Sequence, residues 1–127
     1  PHWPEAVSAA RQAQLSEQDL ADLLGTAQVE RPSGQAVRLR TISTPAPDDT
    51  HGAEFNALHR LLEASFPTLH ARLQRERFGR HALLYTWAGS DPQAQPIVLM
   101  AHQDVVPVAP GSEPLWTVPP FAGELRD

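Results

Sequence analysis

The sequence predicts an α/β domain in which helices pack on a sheet, and three observations carry that prediction. Phe55, Leu58, Leu62, Phe66, Leu69 and Leu73 are spaced by three, four, four, three and four residues, one stripe on a helical period. Residues 81–87 alternate, with Leu83, Tyr85 and Trp87 against Leu84 and Thr86, as a half-buried strand does. Residues 97–101, Ile-Val-Leu-Met-Ala, are apolar without a break, the pattern of a strand covered on both faces. Helices followed by such a strand favour a layered domain.

Taken in order, residues 1–14 are polar and Ala-rich and read as an arm or a weak helix. Ser16 and Asp19 stand three apart, a spacing that satisfies free amides at a helix start, and Leu20, Leu23, Leu24 and Ala27 then repeat helically. The Arg31-Pro32-Ser33-Gly34 stretch is expected to interrupt, because proline lacks an amide hydrogen and disfavours helix in the residue before it. A short helix is expected to resume over 33–38, and Pro45-Ala46-Pro47 to end in a loop. Asp48, Asp49 and Thr50 read as caps for the striped helix. Pro67 should kink that helix or restart it as a second one. Gly89-Ser90-Asp91-Pro92 should turn the chain. Residues 123–127 look like a strand being entered. No internal repeat is visible.

Composition narrows the function. The chain has 127 residues, 10 Lys+Arg and 15 Asp+Glu, giving a formal charge of −5, with 41% hydrophobic residues. That is one compact domain or a piece of a larger one, too apolar for a disordered tail. No apolar run approaches the roughly 20 residues of a spanning helix, and no basic run suggests a nucleic-acid surface. All ten cations are Arg. The absence of cysteine excludes a disulfide framework, a zinc ribbon and a thiol nucleophile, but leaves the compartment open. The first residue is Pro1 and no signal segment follows it, so a leader or anchor upstream stays compatible with the sequence and localisation is unassigned.

The chemistry gathers after the apolar run, at His102-Gln103-Asp104. Open α/β sheets place ligands beyond the carboxyl ends of their strands. Side chains two apart on an extended chain point the same way, so His102 and Asp104 can share a side. A carboxylate beside an imidazole accepts one N–H, fixes the tautomer and improves the other nitrogen as a metal ligand. The competing reading is that His102 caps the strand and Asp104 begins a turn, and spacing alone leaves both open. Trp116 with Pro119, Pro120 and Phe121 reads either as a loop at a substrate mouth or as a proline-stiffened connection whose aromatics plug a core edge. His59 and His70, eleven apart, read as solvated flank residues rather than a metal pair, because Pro67 breaks their register. His2, His51 and His81 receive no role. Gly-rich phosphate loops, a Gly-x-Ser-x-Gly elbow and a His-Glu-x-x-His pair are absent.

The wider string is more specific. Leu99-Met-Ala-His-Gln-Asp-Val-Val-Pro-Val108, followed by Trp116-Thr-Val-Pro-Pro-Phe-Ala-Gly123, resembles the zinc-dependent aminoacylase, carboxypeptidase G and carboxypeptidase S family, most closely its carboxypeptidase S-like, N-acyl-amino-acid hydrolase branch. Val37-Arg-Leu-Arg-Thr-Ile-Ser43 is similar to that family's first-helix exit, and the 81–91 segment to its first hairpin.

The resemblance implies the N-terminal part of a layered α/β zinc-peptidase catalytic domain, helices on a mixed and largely parallel sheet. Residues 1–32 would form an arm and first helix, and 33–127 the first part of the catalytic domain, with the remainder and a lid domain absent. It implies that His102 is a ligand to one of two zinc ions and that Asp104 is the catalytic-site carboxylate orienting it. The implied reaction is zinc-dependent hydrolysis of an amide bond next to a free carboxylate, on a small peptide or an N-acyl amino acid. The remaining ligands and the general base would lie beyond Asp127, so the 127-residue chain alone is expected neither to hold zinc tightly nor to turn over. The implied partners are that substrate and a second copy joined through the lid domain. The competing class is a non-catalytic binding module that kept the fold and lost the metal site.

Overall fold

The computed structural model describes residues 30–44 and 50–124. The expected arm at 1–14, the Ser16–Asp19 cap and the Leu20 to Ala27 repeat lie outside those residues, as do the 45–47 loop, Asp48, Asp49 and the end of the 123–127 segment. The described elements run in the order α1 (Glu30–Arg38), α2 (Gly52–Ser65), α3 (Pro67–Arg72), β1 (Gln74–Phe78), β2 (Ala82–Thr86) and a short 3-10 turn (Glu113–Leu115).

α1 corrects one expectation. The helix passes through Arg31-Pro32-Ser33-Gly34 instead of resuming after it. Pro32 lies in the first turn, where an amide has no intrahelical acceptor and a missing N–H costs nothing.

α2 forms as its stripe requires. Phe55 and Leu58 are buried, and Leu62, Phe66, Leu69 and Leu73 are half-buried along the continuing line. His51 takes the N-cap position without a side-chain cap bond, one residue past the Asp48-Asp49-Thr50 run expected there. The break falls at Phe66, where φ −126° and ψ 60° leave the helical region and Pro67 starts α3 at its first position.

β2 bears out the alternation: Leu83, Tyr85 and Trp87 are half-buried, while Ala82, Leu84 and Thr86 are exposed. Its partner is β1, paired antiparallel with Arg75 opposite Tyr85 and Arg77 opposite Leu83. The turn between them uses Gly79 at φ +55°, a left-handed conformation glycine adopts without a Cβ penalty. The Asp91 carboxylate accepts the Gln93 amide at 2.8 Å and the Asp91 carbonyl accepts the Ala94 amide at 3.2 Å, so the expected turn forms around that residue.

The 97–101 run departs from expectation. Among the described residues it belongs to no sheet, and Val98, Leu99 and Met100 are 72%, 72% and 91% exposed. A strand exists only through the hydrogen bonds of a neighbour. The described sheet has two antiparallel strands, and parallel pairing is confined to a single bridge, Ile42 with Val105. Helices and strands therefore mix as an α/β segment should, but the layered, largely parallel sheet is not formed among these residues.

The C-terminal loop is tied back to α1. The Arg38 guanidinium donates to the Ala122 carbonyl at 3.0 Å, and Gly34 and Gly123 cross so closely that a Cβ built on Gly123 would stand 2.1 Å from the Gly34 oxygen. Gly123 also sits at φ +59°. Only glycine satisfies both conditions.

Candidate functional site

The His102-Gln103-Asp104 segment is placed by what surrounds it. Segment 41–43 lies alongside: the Val105 amide donates to the Thr41 carbonyl and the Ser43 amide to the Val105 carbonyl, each at 3.0 Å. Segment 41–43 is itself tied to α2, since the Arg40 amide donates to the Glu54 carboxylate at 3.1 Å. Buried Thr41 adds a hydroxyl that donates to the Gln103 carbonyl at 2.8 Å.

His102 and Asp104 come together on one side, as their spacing predicts. The His102 Nδ1 lies 2.7 Å from the Asp104 carbonyl oxygen and 3.3 Å from its carboxylate Oδ1. Both partners are acceptors, so Nδ1 carries a proton, and in the neutral ring the lone pair sits on Nε2. The shorter contact is to the backbone, so Asp104 orients the ring through its main chain as well as its charge. The His102 side chain is 84% exposed, which leaves Nε2 accessible. Such an imidazole can donate its Nε2 lone pair to a metal.

This pair borders a cleft of about 390 Å³ whose other walls include Ile42, His51, Phe55 and His81. The Phe55 ring stacks on His81 at 4.5 Å with an interplanar angle of 11°, joining α2 to the start of β2 beneath it. Among the described residues, no group of three or more His, Cys, Asp or Glu is arranged to hold a metal ion.

Trp116 and Phe121 do not line this cleft. They line a separate cleft of about 570 Å³ with Arg40, Pro119 and Pro120. The Arg40 guanidinium lies 5.2 Å from the Phe121 ring centroid, and Phe121 sits at φ +66°, uncommon for a residue with a side chain. Trp116 stays more than half exposed.

Sequence reasoning missed two groups. His59 is buried at 8% exposure, not solvated: its Nε2 donates to the Gln103 Oε1 at 2.9 Å. Burial lowers its pKa below the usual 6.5, helped by the Arg77 and His81 charges and opposed by the Gln103 hydrogen bond. Gln103, in turn, donates from Nε2 to the His81 carbonyl at 3.2 Å. The available signal was position: His59 stands four residues after Phe55 and beside Leu58, on the margin of the apolar stripe. His70 is also half-buried and fully engaged, its Nδ1 donating to the Phe66 carbonyl at 2.9 Å and its Nε2 accepting from the Tyr85 hydroxyl at 2.8 Å. Burial raises the Tyr85 pKa.

Over 93 residues the chain is 44% identical to carboxypeptidase S of Saccharomyces cerevisiae, covering 69% of this chain and 16% of that protein. It is 43% identical over 89 residues to the N-fatty-acyl-amino acid synthase/hydrolase of Homo sapiens, covering 68% of this chain and 16% of that one. A carboxypeptidase S-like protein of Dictyostelium discoideum is 36% identical over 95 residues, covering 73% of this chain and 18% of its own length. Each of these relatives bears the name of an enzyme or of an enzyme-like protein, and the chain spans less than a fifth of each. No family model and no solved structure matches the chain. Among the described residues no helix is long and apolar enough to cross a membrane.

Proposed function

We propose that the protein carrying this chain is a zinc-dependent amidohydrolase that cleaves an amide or peptide bond next to a free carboxylate, as a metallocarboxypeptidase or an N-acyl-amino-acid hydrolase. The observation that carries the reading is the His102 imidazole, held at Nδ1 by Asp104 with Nε2 open at a cleft. The similarity to carboxypeptidase S and to the N-fatty-acyl-amino acid synthase/hydrolase supports the reaction class.

The donor chemistry fits a metal. A neutral imidazole whose second nitrogen is hydrogen-bonded to a carboxylate and a carbonyl is the usual form of a zinc-bound histidine. His102 would hold one of two zinc ions through Nε2, with ligands from the rest of the protein completing the set. Bound there, zinc supplies Lewis-acid polarisation of a carbonyl and a more acidic water. Asp104 keeps the ring in the Nδ1–H tautomer and offsets the positive charge drawn toward it. Ile42 and Phe55 put apolar side chains into a cleft wall that is otherwise largely polar, with Ser43, Thr44, His51 and Arg80 beside them.

In this reading, residues 33–127 open a layered catalytic domain, and the exposed apolar run 97–101 is a strand covered by parts of the protein outside this chain. A small peptide or an N-acyl amino acid is the substrate.

The test assays the intact protein on paired substrates, N-acyl amino acids and short peptides with the carboxylate free or amidated, before and after chelation. Cleavage of the free acids only, abolished by chelator and restored by zinc, is expected. Undiminished cleavage in chelator would contradict the zinc reading; no cleavage of any of them would favour the non-catalytic module.

A further inference from the structure

Gln103 stands between the two residues of the candidate site and points the opposite way, as the middle residue of an extended tripeptide must. Its amide is held at both ends by different elements. The oxygen accepts from His59 Nε2 on α2 at 2.9 Å, and the nitrogen donates to the His81 carbonyl at the β1–β2 turn at 3.2 Å. Its backbone carbonyl accepts from buried Thr41 at 2.8 Å. Three separate parts of the fold thus converge on one half-buried residue. The His102 and Asp104 side chains contact each other, and apart from the backbone pairing of Val105 with Thr41 and Ser43, the Gln103 side chain is what sets the rotation of the peptides between them.

We propose that His59 and Gln103 form a latch that fixes the rotation of the 102–104 segment, making both of them positioning residues for His102 and Asp104. The metal-related consequence rests on the zinc reading above; the latch itself does not. A side chain on the inner face of an extended segment transmits its placement to the outer face, because successive residues share one peptide plane between them. Releasing the Gln103 side chain frees the backbone torsions at Gln103, which lie between His102 and Asp104, and so lengthens the short contact between His102 Nδ1 and the Asp104 carbonyl that selects the tautomer. The buried His59 is suited to the task. It is a donor in a stiff ring, on a helix anchored by Phe55 and Leu58.

A purely structural role for His59 would lower stability and leave the His102 ring alone, so the ring is what must be read. The experiment records histidine 15N shifts of the metal-free intact protein, at a pH where the rings are neutral. Wild type is compared with His59→Leu, His59→Gln and Gln103→Met. Wild type is expected to carry the His102 proton on Nδ1. His59→Leu and Gln103→Met should give a mixture of tautomers, and His59→Gln, which restores an amide donor near the same place, should return the ring toward wild type. Zinc affinity should fall about 10- to 100-fold in the first two variants, the range for groups that orient a metal ligand, with KM little changed. Gln103 is half-buried, so Gln103→Met reads the same effect if His59→Leu does not fold. A wild-type His102 tautomer in both variants alongside a lowered Tm would overturn the latch. A tautomer that depends on His59 in a protein that takes up no zinc would uphold the latch and defeat the zinc reading instead.

Discussion

Two stretches of similar length behave differently. Residues 52–86 fold into two helices and a hairpin, with Phe55 and Leu58 buried on α2 and the Phe55 ring stacked on His81 at the hairpin turn. Residues 97–123 contain one 3-10 turn, an apolar run left exposed and the candidate site itself. The first stretch is held by contacts close in sequence: α2 with α3, then β1 with β2. The second is held by a few long-range ties, from Thr41, His59, His81 and Arg38. The lesson is that the candidate site sits on the stretch with little secondary structure of its own, and ties from α2, the hairpin turn and the 38–43 segment hold it in place.

That contrast can be broken at several points, and His102→Ala in the intact protein should have the largest effect. It removes the proposed ligand, so zinc occupancy and kcat/KM should both fall, the rate by more than the roughly 100-fold ceiling typical of an orienting group. Metal analysis and steady-state assays read both. Asp104→Ala comes next: most zinc should be retained and the rate should fall about 10- to 100-fold. Equal, near-wild-type rates in the two variants would remove the site assignment.

Phe55→Ala tests the supporting stretch. It deletes a buried ring stacked on His81 and should cost about 3 kcal/mol, read by thermal or denaturant unfolding. Gly123→Ala tests a tie of the second stretch. The positive φ alone should cost about 1–2 kcal/mol, and the clash with the Gly34 carbonyl should displace the loop from α1.

The smallest effect concerns pH. The folded His59 has a pKa below that of the unfolded chain, so the unfolded state binds the proton first as pH falls. Its contribution to stability is complete above the unfolded value near 6.5 and is lost as pH drops through the lower folded value. The groups around it are Gln103, Arg77 and His81; the Arg77 charge opposes its protonation, while the hydrogen bonds to Gln103 and to the His81 backbone favour it. Tm measured from neutral to acid pH should therefore decline less in His59→Gln than in wild type.

How much of this the sequence disclosed follows the same division. The stripe from Phe55 to Leu73, the break at Pro67 and the alternation through Tyr85 were legible because local periodicity determines them. β1 was not, because Gln-Arg-Glu-Arg-Phe is mostly polar and has no buried position, and only its pairing with β2 makes it a strand. The helical path through Pro32 was misjudged because proline breaks a helix only beyond its first turn. At the site, the His102–Asp104 pairing followed from a period of two. The partnership of His59 with Gln103 spans 44 residues, and nothing local encodes it.

The most direct test of the central claim is metal content. The intact protein, purified without added metal, is compared with its His102→Ala variant by elemental analysis and zinc-edge X-ray absorption. The account predicts zinc in the wild type with an imidazole nitrogen among its ligands, and loss of zinc together with that signal in the variant. Equal zinc content with unchanged spectra in the two proteins, or a wild type free of transition metal, would contradict it.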